Sequence, residues 1–450
     1  MLKTDFTQIN FKLWLALIAS SFIPLIYTTT RIHFIGSMPD SWSLSIAAQV
    51  AWLNIGYEVV SEALMLPLAF ILGQVFLNPA EFRKRAVSSL AIIVLVYAIM
   101  TAFVVQFTPQ LVTAMQQNSE LLQDTIVYIR LEALAIFISS GYMFINLLLV
   151  LHSKYKALYT LLVIQTVLTV VCDSALVSQL PFSYKLGVNG IAVTNILVNS
   201  LLIFVALQLL KHNGIKLSYK DIRFKKQAWL KLWLNVGSKS GLESFVRNTA
   251  FVVMILQLMN QLQQAGTFWV ANGFIWGWLL LPILTLGQVV KRDAATSNGL
   301  SEGRVNSYLM ITLGVVALWL LTLSFWESFV HNVMGINNAS EVTHLVMVMI
   351  GFYVVFAFNN VIDSYFYGIG RTDLMLYQSL IVNTLFYGAA FISYQQGLFI
   401  PSLNKIAIMF GLGITLDAAI TWLLYRMVRR QKERNHPEKK NIFSKKTESK

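Results

Sequence analysis

Apolar residues run along this chain in stretches about twenty long, separated by short polar stretches rich in Lys and Arg. A hydrocarbon core about 30 Å thick takes about 20 residues of helix to cross, so this is the period that a bilayer imposes. Twelve stretches predict membrane-spanning helices: 12–36, 44–76, 86–107, 122–150, 157–178, 187–210, 233–260, 266–290, 305–326, 342–367, 374–396 and 404–426. The stretch 44–76 is long for one crossing and predicts a tilted helix or one that continues outside the membrane.

The basic residues orient these spans. Twelve crossings place both termini and every second loop on one side, and that side collects 28 of the 34 Lys and Arg. The opposite loops hold Lys185 and Lys405. Since cytoplasmic loops carry the excess of Lys and Arg, both termini are expected in the cytoplasm. Lys3 and Lys12 precede the first apolar run as they would in a signal peptide. That run is too long and lacks a clean small-x-small cleavage site, so an uncleaved first helix is expected.

Composition agrees with a bilayer and excludes the alternatives. Of 450 residues, 12% are charged and 56% apolar, with a mean hydropathy of +0.63. A soluble chain has about a quarter charged, and disordered, collagen-like, coiled-coil and disulfide-rich chains are excluded by the same balance. The single cysteine, Cys172, lies in an apolar run and reads as a small buried hydrophobe. The net charge of +13 belongs to the loops, so no nucleic-acid partner is expected. The expected surroundings are the lipid bilayer of a plasma membrane, in a bacterium the inner one. The segment 428–450 is basic and poor in apolar residues, and is expected to be a disordered cytoplasmic tail near anionic headgroups.

The chain also repeats itself. Leu66-Pro67 followed by Leu72-Gly73-Gln74-Val75 returns as Leu281-Pro282 followed by Leu286-Gly287-Gln288-Val289, an offset of 214 residues from Gly73 to Gly287. Leu158-Tyr159 returns as Leu376-Tyr377 at an offset of 218. Six spans per repeat make the repeats parallel, about an axis along the membrane normal. The expected fold is therefore an all-α polytopic membrane protein of twelve transmembrane helices in two pseudo-symmetric six-helix lobes, 1–210 and 233–427, joined by a basic cytoplasmic linker at 211–232.

Enzymatic chemistry has no counterpart in the sequence. There is no Gly-x-x-x-x-Gly-Lys loop for ATP and no His-Glu-x-x-His, and His33, His152, His212, His331, His344 and His436 are scattered without ligand spacing. No catalytic residue, metal site or organic cofactor is expected. What stands out is charge inside the spans: Arg31, Glu58, Glu62, Arg130, Glu132, Asp173, Lys239, Glu243, Arg247, Asp363 and Asp417. Such residues are costly in lipid and mark transport pathways. Lys239, Glu243 and Arg247 stand four apart on one helix face, spaced for two intrahelical ion pairs. Glu58 and Glu62 share a face with Asn54. Turned inward, these faces would line a polar cavity; the plainer alternative is that the charges neutralise one another and hold the helices in register. The pairs Gly237 with Gly241 and Gly273 with Gly277 predict close helix packing. Pro24, Pro67 and Pro282 predict kinks.

Over about residues 12–427 the chain resembles the multidrug and toxic compound extrusion (MATE) family of secondary transporters. The resemblance rests on two six-helix halves, Gly-Gln near the ends of helices two and eight, Leu186-Gly187-Val188-Asn189-Gly190 opening helix six, and Gly368-Ile369-Gly370-Arg371-Thr372 after helix ten. It implies two lobes around a central cleft, a monomer exporting small-molecule drugs or metabolites in exchange for Na+ or H+. Arg31, Lys239 and Arg247 stand where the family has an acid, a proline and an acid, whereas Asp173 matches its usual Asp or Asn, with Ser174 where proline is common. The expectation drawn from these departures is an anionic or zwitterionic substrate facing Arg31 and Arg247, with Glu58, Glu62 or Glu243 carrying the coupling ion. Lining candidates are Asn54, Glu132, Asp173, Lys239 and Asp363 as well. The alternative within the superfamily is a lipid-linked precursor flippase.

Overall fold

The computed structural model describes residues 5–7, 9–36, 50–114, 122–178, 180–222, 228–251, 254–255, 258–259, 262, 265–297, 299–336 and 338–435, and among them it is helical, without strands. In the first half, α1 (Phe11–Gly36) leads to α2 (Val50–Leu64) and α3 (Leu68–Gly73). Then come α4 (Pro79–Ala114), α5 (Leu122–Leu151), α6 (Tyr155–Leu176) and α7 (Gly187–His212). The second half has α8 (Ala228–Phe251), α9 (Ala265–Phe274), α10 (Leu281–Thr296), α11 (Glu302–Thr322) and α12 (Trp326–Asn332). It ends with α13 (Ala339–Gly368), α14 (Thr372–Leu380), α15 (Tyr387–Gln395) and α16 (Leu403–Asn435). The linker residues 223–227 and the tail from 436 lie outside the described residues.

The protein is a multi-pass membrane protein. Among the described residues, nine helical segments are long and apolar enough to cross a bilayer, and α9 with α10, bent by 52°, makes a tenth. Of the twelve predicted stretches, the other two are α1, whose described apolar part is Phe11–Tyr27, and α8, which carries Lys231, Lys239, Glu243 and Arg247. The stretch 86–107 underestimates its helix, because α4 continues through polar turns where Arg85 pairs with Glu81 at 3.5 Å. Residues 428–435, expected in a disordered tail, instead continue α16. Arg429 anchors them, 2.9 Å from Glu302 and 5.7 Å from the centre of the Tyr425 ring.

The halves meet through their first two spans. α1 packs on α10, α2 on α8, and α3 on α10. Pro67 parts α2 from α3, since a proline has no N–H for the carbonyl four residues back, here Ala63. At that break α8 crosses closely: a Cβ on Gly237 would lie 2.2 Å from Ala63 O, and one on Gly241 2.7 Å from Ala63 Cβ. The Trp233 indole of α8 donates to the adjacent Leu64 carbonyl at 3.1 Å. In the mirrored arrangement Trp14 of α1 donates to the Pro282 carbonyl in the first turn of α10, at 3.0 Å. A Cβ on Gly73 at the end of α3 would lie 2.7 Å from the Ala295 carbonyl of α10. All these contacts are toward the face that carries the basic loops. Of the two Gly-x-x-x-Gly pairs, Gly237 with Gly241 serves helix packing at both positions; in the other, a Cβ on Gly277 would lie 3.3 Å from Leu25 of α1, while nothing lies within 4 Å of one on Gly273.

Candidate functional site

α8 carries its charge ladder against α2 and α13. Arg247 is the hub: Nη1 is 2.6 Å from Glu243 Oε1, and Nη2 is 2.7 Å from Glu62 Oε1 and 3.6 Å from Glu58 Oε1. The Tyr367 hydroxyl of α13 donates to Glu243 Oε2 at 3.2 Å. Three carboxylates thus share one guanidinium, and the group joins the two halves through α2 and α8. Glu243 is only 5% exposed, so Arg247 supplies the counter-charge that its burial demands. Of the two ion pairs that the spacing predicts, only the one to Arg247 forms. Both oxygens of Glu243 are occupied, and Lys239 makes no ion pair among the described residues. Asn54 is exposed one turn before Glu58, and the Arg31 side chain lies outside the described residues.

A second acidic group sits inside the second half. The amide of Asn359 donates to Asp363 Oδ2 at 3.0 Å and reaches Asp417 Oδ2 at 3.3 Å, which ties α13 to α16. The Thr421 hydroxyl is 2.6 Å from Gln378 Oε1 and 3.3 Å from Asp363 Oδ1. One hydroxyl proton serves both acceptors. Asn359 Oδ1 is buried without a hydrogen-bond partner among the described residues. Among the described residues no Lys or Arg lies within ion-pair distance of either carboxylate there. The oxygens present, from two carboxylates, an amide and a hydroxyl, are the kind that bind a hard cation or a proton. Among the described residues no three or more His, Cys, Asp or Glu are placed to hold a metal ion.

The remaining interior charges of the first half, Asp173, Glu132 and Arg130, stand apart from both groups. Asp173 on α6 accepts from the Tyr27 hydroxyl of α1 at 2.7 Å, Asn195 of α7 donates to Glu132 at 3.5 Å, and Arg130 Nε donates to the Val105 carbonyl at 3.1 Å. The structure therefore brings together Glu58, Glu62, Glu243 and Arg247, and separately Asp363 and Asp417. Asn359 and Tyr367 are uncharged members of these two groups that charge alone does not mark. Their signal was present, since with Asp363 they stand four apart on α13, as the ladder residues do on α8.

No protein-family model matches the chain, and no curated protein sequence matches it. Solved structures do. A MATE structure in the bent conformation superposes with a TM-score of 0.74 at 18% identity, covering 94% of this chain and 96% of that one. A Vibrio cholerae MATE transporter mutant gives 0.79 at 13% identity, over 94% and 96%. A MOP superfamily transporter from Pyrococcus furiosus, described by the reverse polarity of its binding pocket as suggesting a different function, gives 0.76 at 17%, over 93% and 94%. At these identities the likeness is one of fold, and it spans nearly the whole chain: this protein has the fold of the MATE transporters.

Proposed function

We propose that this protein is a secondary active exporter of the MATE kind, carrying drugs or small organic metabolites out of the cytoplasm by alternating access in exchange for Na+ or H+. In this reading twelve helices form two six-helix lobes, 1–210 and 233–427, joined by the basic linker 211–232. Both termini lie in the cytoplasm, the membrane is the plasma membrane, and the transporting unit is a monomer. The observation that carries the reading is the bridge at Arg247, where carboxylates of both halves hold one guanidinium in the interior of a transporter fold. Alternating access needs contacts between the lobes that form in one state and break in the other, and an ion bridge does so without repacking a core.

The coupling ion is assigned to the Asp363 and Asp417 pair. A cation or proton there offsets the mutual repulsion of two carboxylates that have no ion-pair partner among the described residues. From that pair the path to the lobe interface is short: Tyr367 lies one turn after Asp363 and bonds to Glu243, which holds Arg247 and through it Glu62. The exchange of acids for bases at Arg31 and Arg247 supports an anionic or zwitterionic substrate, as does the fold likeness to a transporter of reversed pocket polarity. At Arg247 a flippase's pyrophosphate would meet a cation already held by three carboxylates. The test is uptake into inverted vesicles under separately imposed Na+ and H+ gradients, with cationic, anionic and zwitterionic solutes. Asp363→Asn and Asp417→Asn are each expected to abolish gradient-driven uptake while the protein still inserts. Uptake that ignores both gradients for every solute sinks the exporter.

A further inference from the structure

Between α2, α5 and α10 lies a cavity of about 330 Å³, at the small end of the range of about 300–1,000 Å³ common for ligand sites. Glu62, Asn146, Gln288, Lys291 and Arg292 line its polar side, Met65 and Leu147 its apolar side. Arg292 is engaged, donating to the Leu151 carbonyl at 3.3 Å and pairing with Asp293. Lys291 is not: among the described residues its ammonium has neither hydrogen bond nor ion pair. On α2, Glu62 gives Oε1 to Arg247 while its Oε2 is buried without a partner. One cavity therefore holds an unpaired cation and an unpaired carboxylate oxygen on different helices, beyond ion-pair distance of each other.

A buried charge without a counter-charge is costly: Lys291 has none among the described residues, and the three carboxylates on Arg247, Glu62 among them, exceed its single charge, so a ligand that offsets only one of these leaves the other. A simple anion on Lys291 would also meet the excess of carboxylates around Arg247. A simple cation on Glu62 would be repelled by Lys291. We propose that this cavity binds a zwitterion, with its carboxylate or phosphate on Lys291, its ammonium on Glu62, and its apolar part against Met65 and Leu147. The assignment of this occupant as the transported substrate rests on the exporter reading; the site itself does not. Two sources share the chemistry: a free amphipathic zwitterion and the headgroup of an aminophospholipid.

The experiment is equilibrium binding to the purified full chain in detergent, by titration calorimetry. Probes are leucyl-leucine, its N-acetyl and C-amide forms, and short-chain phosphatidylethanolamine against phosphatidylglycerol. The expected result is that leucyl-leucine binds and that each blocking group weakens it about tenfold or more. Lys291→Met should erase only the effect of amidation, Glu62→Gln only that of acetylation, and Lys291→Arg should restore the first. Binding of phosphatidylethanolamine but not leucyl-leucine or phosphatidylglycerol, with the same dependence on Lys291, supports the site with a lipid as occupant. Binding indifferent to the blocking groups, or no binding by either zwitterion, overturns it. Gradient-driven uptake with charge-blind binding removes this proposal and leaves the exporter; charge-sensitive binding without such uptake does the reverse.

Discussion

Glu243 is the most deeply buried member of the charge bridge, and its dependence on Arg247 can be measured. Replacing Arg247 by Met leaves the Glu243 and Glu62 carboxylates without their cation. A fully buried pair broken in this way costs about 3–5 kcal/mol, and the exposure of the Arg247 side chain, 41%, reduces that to about 1–3 kcal/mol. Thermal melting of Arg247→Met should show this loss, and adding Glu243→Gln should recover part of it. Full stability in the single variant would mean that the bridge is not structural. At the end of α5, His152 gives a pH handle outside the spans. Burial holds its imidazole below the ordinary value of 6.5; the Leu148 carbonyl opposes this, while Lys154 and Arg292 add to it. Because its folded-state value is lowered, the unfolded chain takes up the proton first, so stability is intact above about pH 6.5 and falls as the pH drops below it. In His152→Gln, which keeps a donor for the Leu148 carbonyl, the difference in melting temperature between about pH 7.5 and pH 5.5 should shrink.

At the scale of the helices, the joint between the halves is built on a proline, a glycine and a tryptophan from different segments. Pro67 releases the Ala63 carbonyl, Gly237 lets α8 approach it, and the Trp233 indole serves the carbonyl of Leu64 next to it. Gly237→Val should therefore destabilise the fold by about 3 kcal/mol or more, because the neighbour is backbone and cannot turn aside. Gly273→Val, with open space around it, should stay within about 0.5 kcal/mol in the same melting experiment. Much of this joint was legible in the chain, and some that was legible was passed over. The helices declared themselves because lipid demands long apolar runs, and Gly237 with Gly241 by spacing. Trp14 and Trp233 lie in a repeated Lys-Leu-Trp-Leu, at 12–15 and 231–234, a second four-residue internal match beside Leu-Gly-Gln-Val. Apolar content cannot reveal a helix that outlasts the bilayer. The stretch 266–290 stops one residue before Lys291, which therefore counted with the basic loops, although α10 continues to Thr296. Charges inside spans were visible as types, but their partners were not. Nothing in the spacing of Arg247 says that Glu62, on a helix 185 residues away in sequence, takes its second nitrogen.

For the molecule as a whole, the closest approaches between the halves lie toward one side, although α1 also meets the second half farther along, where Phe22 packs edge-on against Trp278. Gly73 against Ala295, Gly237 against Ala63, and the bonds from Trp14 and Trp233 all lie toward the loops rich in Lys and Arg. Farther along α2, away from those loops, Asn54 is exposed and the Glu58 side chain is 48% exposed. If the basic loops are cytoplasmic, as the charge bias predicts, this structure is sealed toward the cytoplasm and its polar interior is reached from outside. Labelling of cysteines tests both parts at once. Cys172→Ser removes the only native thiol, and single cysteines can then be placed as Asn54→Cys in the interior or Leu77→Cys, 93% exposed beside the basic loop after α3. In intact cells a membrane-impermeant maleimide should modify Asn54→Cys and spare Leu77→Cys. In inverted vesicles Leu77→Cys should react, and Asn54→Cys should become reactive only as an imposed gradient drives the lobes through their other state. Modification of Leu77→Cys in intact cells would reverse the orientation. With Leu77→Cys protected there, modification of Asn54→Cys only in inverted vesicles would keep the orientation and show instead that the resting protein opens to the cytoplasm.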